Sequence, residues 1–190
     1  LSSIDATRIE FRPVGSDDLP LIERWMRAPH WQDWWEEPET ELGHIRAMIE
    51  GRDSTRPFLF LLDGRPVGYI QYWYVTDALC EPWLTEAPWL RDVPAHGVGV
   101  DLSIGDAADL SQGIGSAALK AFVERLIAEG QRSIIIDPDA ANARAIRAYE
   151  KAGFQPFLVS PEPGNDTQAT FIMTYAPDNA APTDRISHDR

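Results

Sequence analysis

The chain has 190 residues, 44% of them hydrophobic, enough for one sizeable core and within the roughly 100–200 residues of a single domain. A formal charge of −13 argues against nucleic acid as a partner, because a phosphate binder needs a net basic face to displace counterions. No apolar run approaches the roughly 18–20 residues that span a bilayer, so no membrane partner is expected, and the lone cysteine, Cys80, fits a reducing, cytoplasmic setting.

Residues 8–14 (RIEFRPV) alternate apolar and polar side chains as an edge strand does, and Ser16 stands as an N-cap before a helix with acids in its first turn. TELGHIRAMIEG predicts a second short helix ending at Gly51. PFLFLLDGRPVGYIQYWYV predicts two strands joined at Asp63-Gly64, a hairpin signal, so the sheet starts antiparallel. Residues 76–96 have no period, three prolines, two tryptophans and several acids, and are expected to form a long loop. Its tryptophans argue against disorder.

GVGVDLSIG predicts the next strand, followed by a helix after Gly113, a fully buried strand in RSIIID and a helix in ANARAIRAYEKAG closed by Gly153. QATFIMTYA is the last expected strand, with a further short one in FQPFLV. Residues 178–190 lack apolar periodicity and are expected as a flexible tail behind a single domain, 1–177.

The stretch SQGIGSA places Gly113 and Gly115 at the mouth of a helix. A helix N-terminus carries unpaired N–H groups and about half a positive charge, and glycines there let backbone approach an anion closely. With Ala118 the run can be written as a dinucleotide-binding fingerprint, but GDAADLSQ is too long for the tight turn that motif needs. A P-loop is excluded because no Gly-Lys-Ser/Thr follows.

The run VDLSIGDAADLSQGIGSAALKAFVERL, followed by IDPDAANARAIRAYEKAGF, resembles the GNAT acetyltransferase superfamily and, within it, the aminoglycoside 6'-N-acetyltransferase branch. HWQDWW is similar to the tryptophan-rich N-terminal segment of that branch. The general superfamily pattern has Arg or Gln where Leu110 stands here. The resemblance implies an α/β (α+β) GNAT fold: a mixed central sheet with antiparallel N-terminal strands, splayed central strands and flanking helices. A β-bulge is expected to re-aim the strand carrying VDLSI.

By the same resemblance the cofactor is acetyl-CoA, with its pyrophosphate on the amides of Gln112, Gly113, Ile114, Gly115 and Ser116. The pantetheine arm is expected along Leu102, Ser103 and Ile104, beside Asn142, Ala145 and Tyr149. Acetyl transfer to an amine needs a neutral nitrogen, a stabilised oxyanion and a proton for the leaving thiolate. Asp101 matches the carboxylate that deprotonates or positions the amine, the amide of Leu102 or Ser103 would polarise the thioester carbonyl, and Tyr149 would protonate the sulfur. Asp101, Asp137 and Asp166 match acidic substrate contacts, and Glu81, Glu86 and Asp92 do so more loosely. Converging carboxylates would hold a polyamine sugar by charge-assisted hydrogen bonds, with Trp34, Trp35, Trp83 and Trp89 as apolar walls. Against these stand ordinary roles: a solvent-facing acid at Asp101, packing at Tyr149 and the tryptophans, a helix cap at Asn142.

His30, His44, His96 and His188 are scattered singly, so no metal is expected. Cys80 in its acidic surroundings suits a catalytic thiol poorly. The expected activity is N-acetylation of an aminoglycoside at the 6'-amine, giving antibiotic resistance, by a monomer or homodimer. The alternatives are acylation of a hydroxylysine-type siderophore precursor and a non-catalytic module that binds cationic ligands.

Overall fold

A computed structural model describes residues 4–175, the side chain of Asp166 aside, so the expected tail at 178–190 lies outside the described residues. After a 3-10 turn at Ala6–Arg8, strand β1 (Ile9–Pro13) leads toward helix α1 (Leu19–Met26). That helix starts later than Ser16 suggests. Ser16–Asp18 form a 3-10 turn, α1 has no side-chain cap, and the bond at this turn is the reciprocal one, the Asp18 carboxylate accepting the Gly15 N–H at 2.8 Å. Helices α2 (Pro29–Gln32) and α3 (Pro38–Ile49) each carry proline at their start, where its missing N–H is no loss.

Strands β2 (Arg56–Leu62) and β3 (Arg65–Tyr74) form the expected hairpin, with Asp63 and Gly64 both at positive φ, 51° and 76°. The segment expected as a loop is a packed cover. It holds α4 (Val75–Ala78), α5 (Trp83–Glu86) and a 3-10 turn at Pro88–Arg91. Val75, Trp89, Leu90 and Val93 are buried there against Ile135 and Ile172. Each short turn buries at most two side chains, and α5 none, so no single period marks the segment.

Strand β4 (Val98–Ile104) is followed by helix α6 (Ile114–Ala128), strand β5 (Ile134–Ile136), helix α7 (Ala143–Ala152) and strands β6 (Phe154–Glu162) and β7 (Asn165–Tyr175). The seven strands make one sheet in the order β1-β2-β3-β4-β5-β7-β6. Every pairing is antiparallel except β4 with β5. The crossover α6 joins that parallel pair, as parallel neighbours require. Phe58, Ile70, Val100 and Ile136 pack on one face of the sheet against Leu119, Phe122 and Val123 of α6. Leu59 and Tyr69 pack on the other with Ile22, Trp25, Trp31 and Ile45 of the first three helices.

The strands splay at the centre of the sheet. β4 pairs with β3 along its whole length, Val98 with Tyr74 through Ile104 with Gly68, but with β5 only at Val98–Ile134 and Gly99–Ile135. The bulge expected in β4 is absent, because its register against β3 never shifts; the shifts fall in β2–β3 and β6–β7. The opening comes from β5, which is three residues long and ends before Asp137-Pro138, where proline has no N–H to continue a ladder.

Candidate active site

A cleft of about 440 Å³ occupies this opening, walled by the free edge of β4, the start of α6, the face of α7 and the first tryptophan-rich turn. At its α6 end, Gly113 has φ +83°, a left-handed conformation that favours glycine, and a Cβ there would meet nothing within 4 Å. The first turn's bond runs from the Ala117 N–H to the Gly113 carbonyl at 3.1 Å, so the amides of Ile114, Gly115 and Ser116 stand ahead of the helical ladder. A Cβ on Gly115 would point at Ile104 Cδ1, 3.6 Å away, which ties the glycine gap to the end of β4. Asp109 also borders the cleft, and its charge is matched by Arg65 through two bonds of 2.8 and 3.0 Å.

Helix α7 turns Arg144, Arg147 and Lys151 toward the same cleft, and none of the three has an ion-pair partner among the described residues. Their spacing of three and four puts them on one helical face. In a chain this acidic, three unmatched cations beside a helix N-terminus mark an anion-binding region. Asn142 caps α7, its Oδ1 accepting the Ala145 N–H at 3.1 Å. Glycine gap, free amides and cations together fit the phosphates of coenzyme A.

Asp101 lies half-buried on β4, opposite Gln71 of β3. The Gln71 amide donates to Asp101 Oδ2 at 2.9 Å, and the Trp73 indole N–H also reaches the carboxylate. Burial lifts the Asp101 carboxyl above its ordinary range against the pull of those two donors. Asp137, just past β5, is pushed well above the ordinary range by burial and then by the Asp101 charge, and its Oδ1 has no hydrogen-bond partner among the described residues. Burial, then the charges of Asp101 and Asp137, raise the Tyr149 hydroxyl, so the phenol keeps its proton throughout the neutral range. These three groups, expected from the sequence, stand close enough to shift one another.

Trp34 and Trp35 line the cleft; Trp34 is 41% exposed, and Trp35 packs edge-on to Tyr69 with ring centroids 5.9 Å apart. Beside them His30 Nε2 and Trp31 Nε1 both reach the Ile104 carbonyl, at 2.9 and 2.7 Å. A carbonyl only accepts, so His30 carries its proton on Nε2. The two bonds pin the free end of β4.

Leu102, Ser103, Ile104, Ser116 and Ala145 also border the cleft as expected. Ile114 does not: its side chain is 2% exposed and packs into the core. The Gln112 side chain turns back to donate to the Ala108 carbonyl at 2.5 Å, so no side-chain role toward the cofactor follows. The loop expectations separate from the cleft altogether. Trp89 is a core residue, 6% exposed, because its indole fills the space over Ile135 and Ile172. Glu81 accepts the Thr85 hydroxyl at 2.7 Å, Trp83 is 51% exposed, and Glu86 and Asp92 are exposed; none borders the cleft, since α4 and α5 fold the segment away from it. The expectation for Asp166 falls on a side chain outside the described set. Sequence reasoning missed His30, Gln71, Arg144, Arg147 and Lys151. Only the α7 cations carried a legible signal, their three-and-four spacing.

Among the described residues no group of His, Cys, Asp and Glu could hold a metal ion, and no helix is long and apolar enough to cross a membrane. Cys80 is exposed and outside the cleft, its Sγ 3.4 Å from the Asp77 carbonyl oxygen.

Residues 15–158 match the acetyltransferase (GNAT) domain family. The chain is 30% identical over 154 residues to aminoglycoside N(6')-acetyltransferase type 1 of Klebsiella pneumoniae, covering 77% of this chain and 74% of that protein. It is 29% identical over 178 residues to lysine N-acyltransferase MbtK of Mycobacterium sp. (strain MCS), covering 90% and 69%. The crystal structure of AAC(6')-Ib with coenzyme A and kanamycin superposes with a TM-score of 0.73 at 26% identity, covering 87% of this chain and 93% of that one. With the splayed β4–β5 pair and the glycine gap at α6 in place, these matches make the chain a member of the GNAT acetyltransferase family.

Proposed function

We propose that this protein transfers the acetyl group of acetyl-CoA to an aminoglycoside, at the 6'-amine, and so confers resistance to the antibiotic. The observation that carries the reading is one continuous cleft with an anion cradle at α6 and two mutually repelling, half-buried carboxylates, Asp101 and Asp137, beside a tryptophan wall. The amides of Ile114 to Ser116 and the cations of α7 would hold the phosphates, and the open edge of β4 would hold the pantetheine arm. Bound there, acetyl-CoA supplies an acyl group activated as a thioester.

The chain's own residues do the rest. Asp101 and Asp137 draw an amine-bearing, cationic sugar into the cleft and orient one nitrogen. Asp101, with its carboxyl raised by burial, is a better proton acceptor than an exposed aspartate and takes the proton the attacking nitrogen must lose. Backbone N–H groups on the free edge of β4 face the site where negative charge develops on the carbonyl oxygen. Tyr149 holds a proton at Oη for the departing sulfur. Trp34 and Trp35 cover sugar rings and attract protonated amines through their faces. Acetyl-CoA dependence and a lone exposed thiol suit a cytoplasmic setting.

A second reading, N-acylation of a hydroxylysine-type precursor, has one observation in its favour: the mycobacterial relative is matched over 90% of this chain. Thiol release from acetyl-CoA, measured with kanamycin, a 6'-hydroxyl aminoglycoside, spermidine and hydroxylysine, decides between them. Turnover with kanamycin and none with the 6'-hydroxyl compound is expected, with Asp101→Asn and Tyr149→Phe each losing at least tenfold in kcat. Turnover with hydroxylysine alone would establish the second reading, and silence throughout would leave a binding module.

A further inference from the structure

Asp101 has acidic neighbours on several sides and few donors. Gln71 and Trp73 face it from β3, Glu41 from α3, Asp137 from beyond β5 and Tyr149 from α7. Of these, Gln71 is the cross-strand partner, opposite Asp101 in the β3–β4 ladder and 2.9 Å from Oδ2. A glutamine amide can sit either way round, and the wrong way would set a carbonyl oxygen against the carboxylate. What fixes it lies one layer deeper. The Tyr69 hydroxyl donates to Gln71 Oε1 at 2.5 Å, and Tyr69 is fully buried, its ring packed against the Trp31–Trp35 pair with centroids 6.3 and 5.9 Å away. The carboxylate only accepts and so takes Nε2, and the phenol proton goes to Oε1, so the two partners together hold the amide one way round.

We propose that Gln71, oriented by the Tyr69 hydroxyl, is the positioning residue that turns the Asp101 carboxylate to the acceptor amine. The chain Tyr69–Gln71–Asp101 runs from the core under the tryptophan-rich turn to the free edge of β4, so packing of α1–α3 sets the direction of the carboxylate. Residues 69 and 71 share a face of β3, and 101 lies on the matching face of β4, so all three side chains meet without a turn in the backbone. The inference rests on the proposed role of Asp101.

The test combines a titration with kinetics. The Asp101 carboxyl is followed by carbon NMR, assigned by its loss in Asp101→Asn, in the wild type, Gln71→Met and Tyr69→Phe. Gln71→Met keeps the volume and removes the donor; it is expected to raise the Asp101 midpoint by about one pH unit and to lower kcat at neutral pH about tenfold, with the acetyl-CoA KM within about twofold. Tyr69→Phe keeps the buried ring and frees the amide to flip, so a smaller shift in the same direction is expected, and it serves if Gln71→Met fails to fold. An unmoved midpoint in Gln71→Met, or unchanged turnover where Asp101→Asn is inactive, overturns the role of Gln71. An unmoved midpoint in Tyr69→Phe overturns the orienting step. If Asp101→Asn turns over like the wild type, the role of Asp101 in the reaction falls, while the titration still decides whether Gln71 holds its carboxylate.

Discussion

Gly99 sits beneath the Trp73 indole, and replacing it with alanine perturbs fold and site together. A Cβ on Gly99 would lie 2.1 Å from both Trp73 Cε2 and Cζ2 and 2.6 Å from Nε1. Carbon pairs rest at about 3.5–4.0 Å, so the ring must recoil by roughly 1.5 Å. It cannot do so freely, because it packs against the cluster that holds Val75, Trp89 and Leu90. Overpacking of this kind costs about 1–3 kcal/mol, which in a domain of this size lowers Tm by about 2–4 °C for each kcal/mol. The same movement takes the indole N–H off Asp101, so kcat falls as well. Thermal unfolding and steady-state kinetics of Gly99→Ala, Trp73→Ala and the double variant separate the two effects. In the Trp73→Ala background the added methyl has nothing to strike, and its destabilisation is expected to fall toward zero. Stability losses that add within about 0.5 kcal/mol, the behaviour of independent sites, would refute the steric argument.

Asp137→Asn is expected to trade activity for stability. The folded-state carboxyl titrates above its ordinary value of 3.8, so its ionisation destabilises the native state. That penalty is absent below the ordinary value and grows as pH rises through the raised one. The variant should therefore unfold at a higher temperature near neutral pH, by the equivalent of about 1 kcal/mol, and the gain should shrink toward zero as pH falls to the ordinary carboxylate range. Calorimetry across that range checks it; an equal gain at all pH values would point away from titration. Replacing Arg147 and Lys151 together by alanine should raise the acetyl-CoA KM about tenfold with kcat little changed, and flatten the rise of KM with salt that the wild type shows. A KM that stays put would remove α7 from the anion site.

Much of this fold could be read along the chain because its elements carry local signals. Asp63-Gly64 supplies the two positive φ angles of the hairpin, Gly113 and Gly153 mark the start of α6 and the end of α7, and Asn142 caps α7. The end of the cleft proposed for the cofactor carries a signal for the same reason, since its amides and glycines are contiguous. The acceptor end was not. Trp89 and Trp83 sit six residues apart in a segment without period, yet one is core and the other is exposed, a difference set by Ile135 and Ile172 from distant strands. Gln71 reads as an ordinary strand residue until β4 brings Asp101 alongside it. The late start of α1 shows the same limit in miniature: Ser16 has the residue type of an N-cap, yet residues 16–18 form a 3-10 turn whose capping bond runs from the Gly15 N–H to Asp18.

The early end of β5 leaves an edge in the middle of the sheet. From Val100 to Ser103 the backbone of β4 has a strand partner on one side only, so its outward donors and acceptors are in the condition of a border strand, while the surrounding sheet holds them in register. Borders of this kind invite strand addition. Here the gap lies inside the sheet, lined by Pro138, the start of α6 and the cationic face of α7, which suits the slender, amide-bearing arm proposed for it better than a neighbouring polypeptide. Filling it completes the sheet, and any such occupant that binds only the folded form shifts the folding equilibrium in proportion to the logarithm of its concentration. With the acetyl donor as that occupant, as proposed, resistance to unfolding is expected to rise with the supply of the molecule the protein consumes.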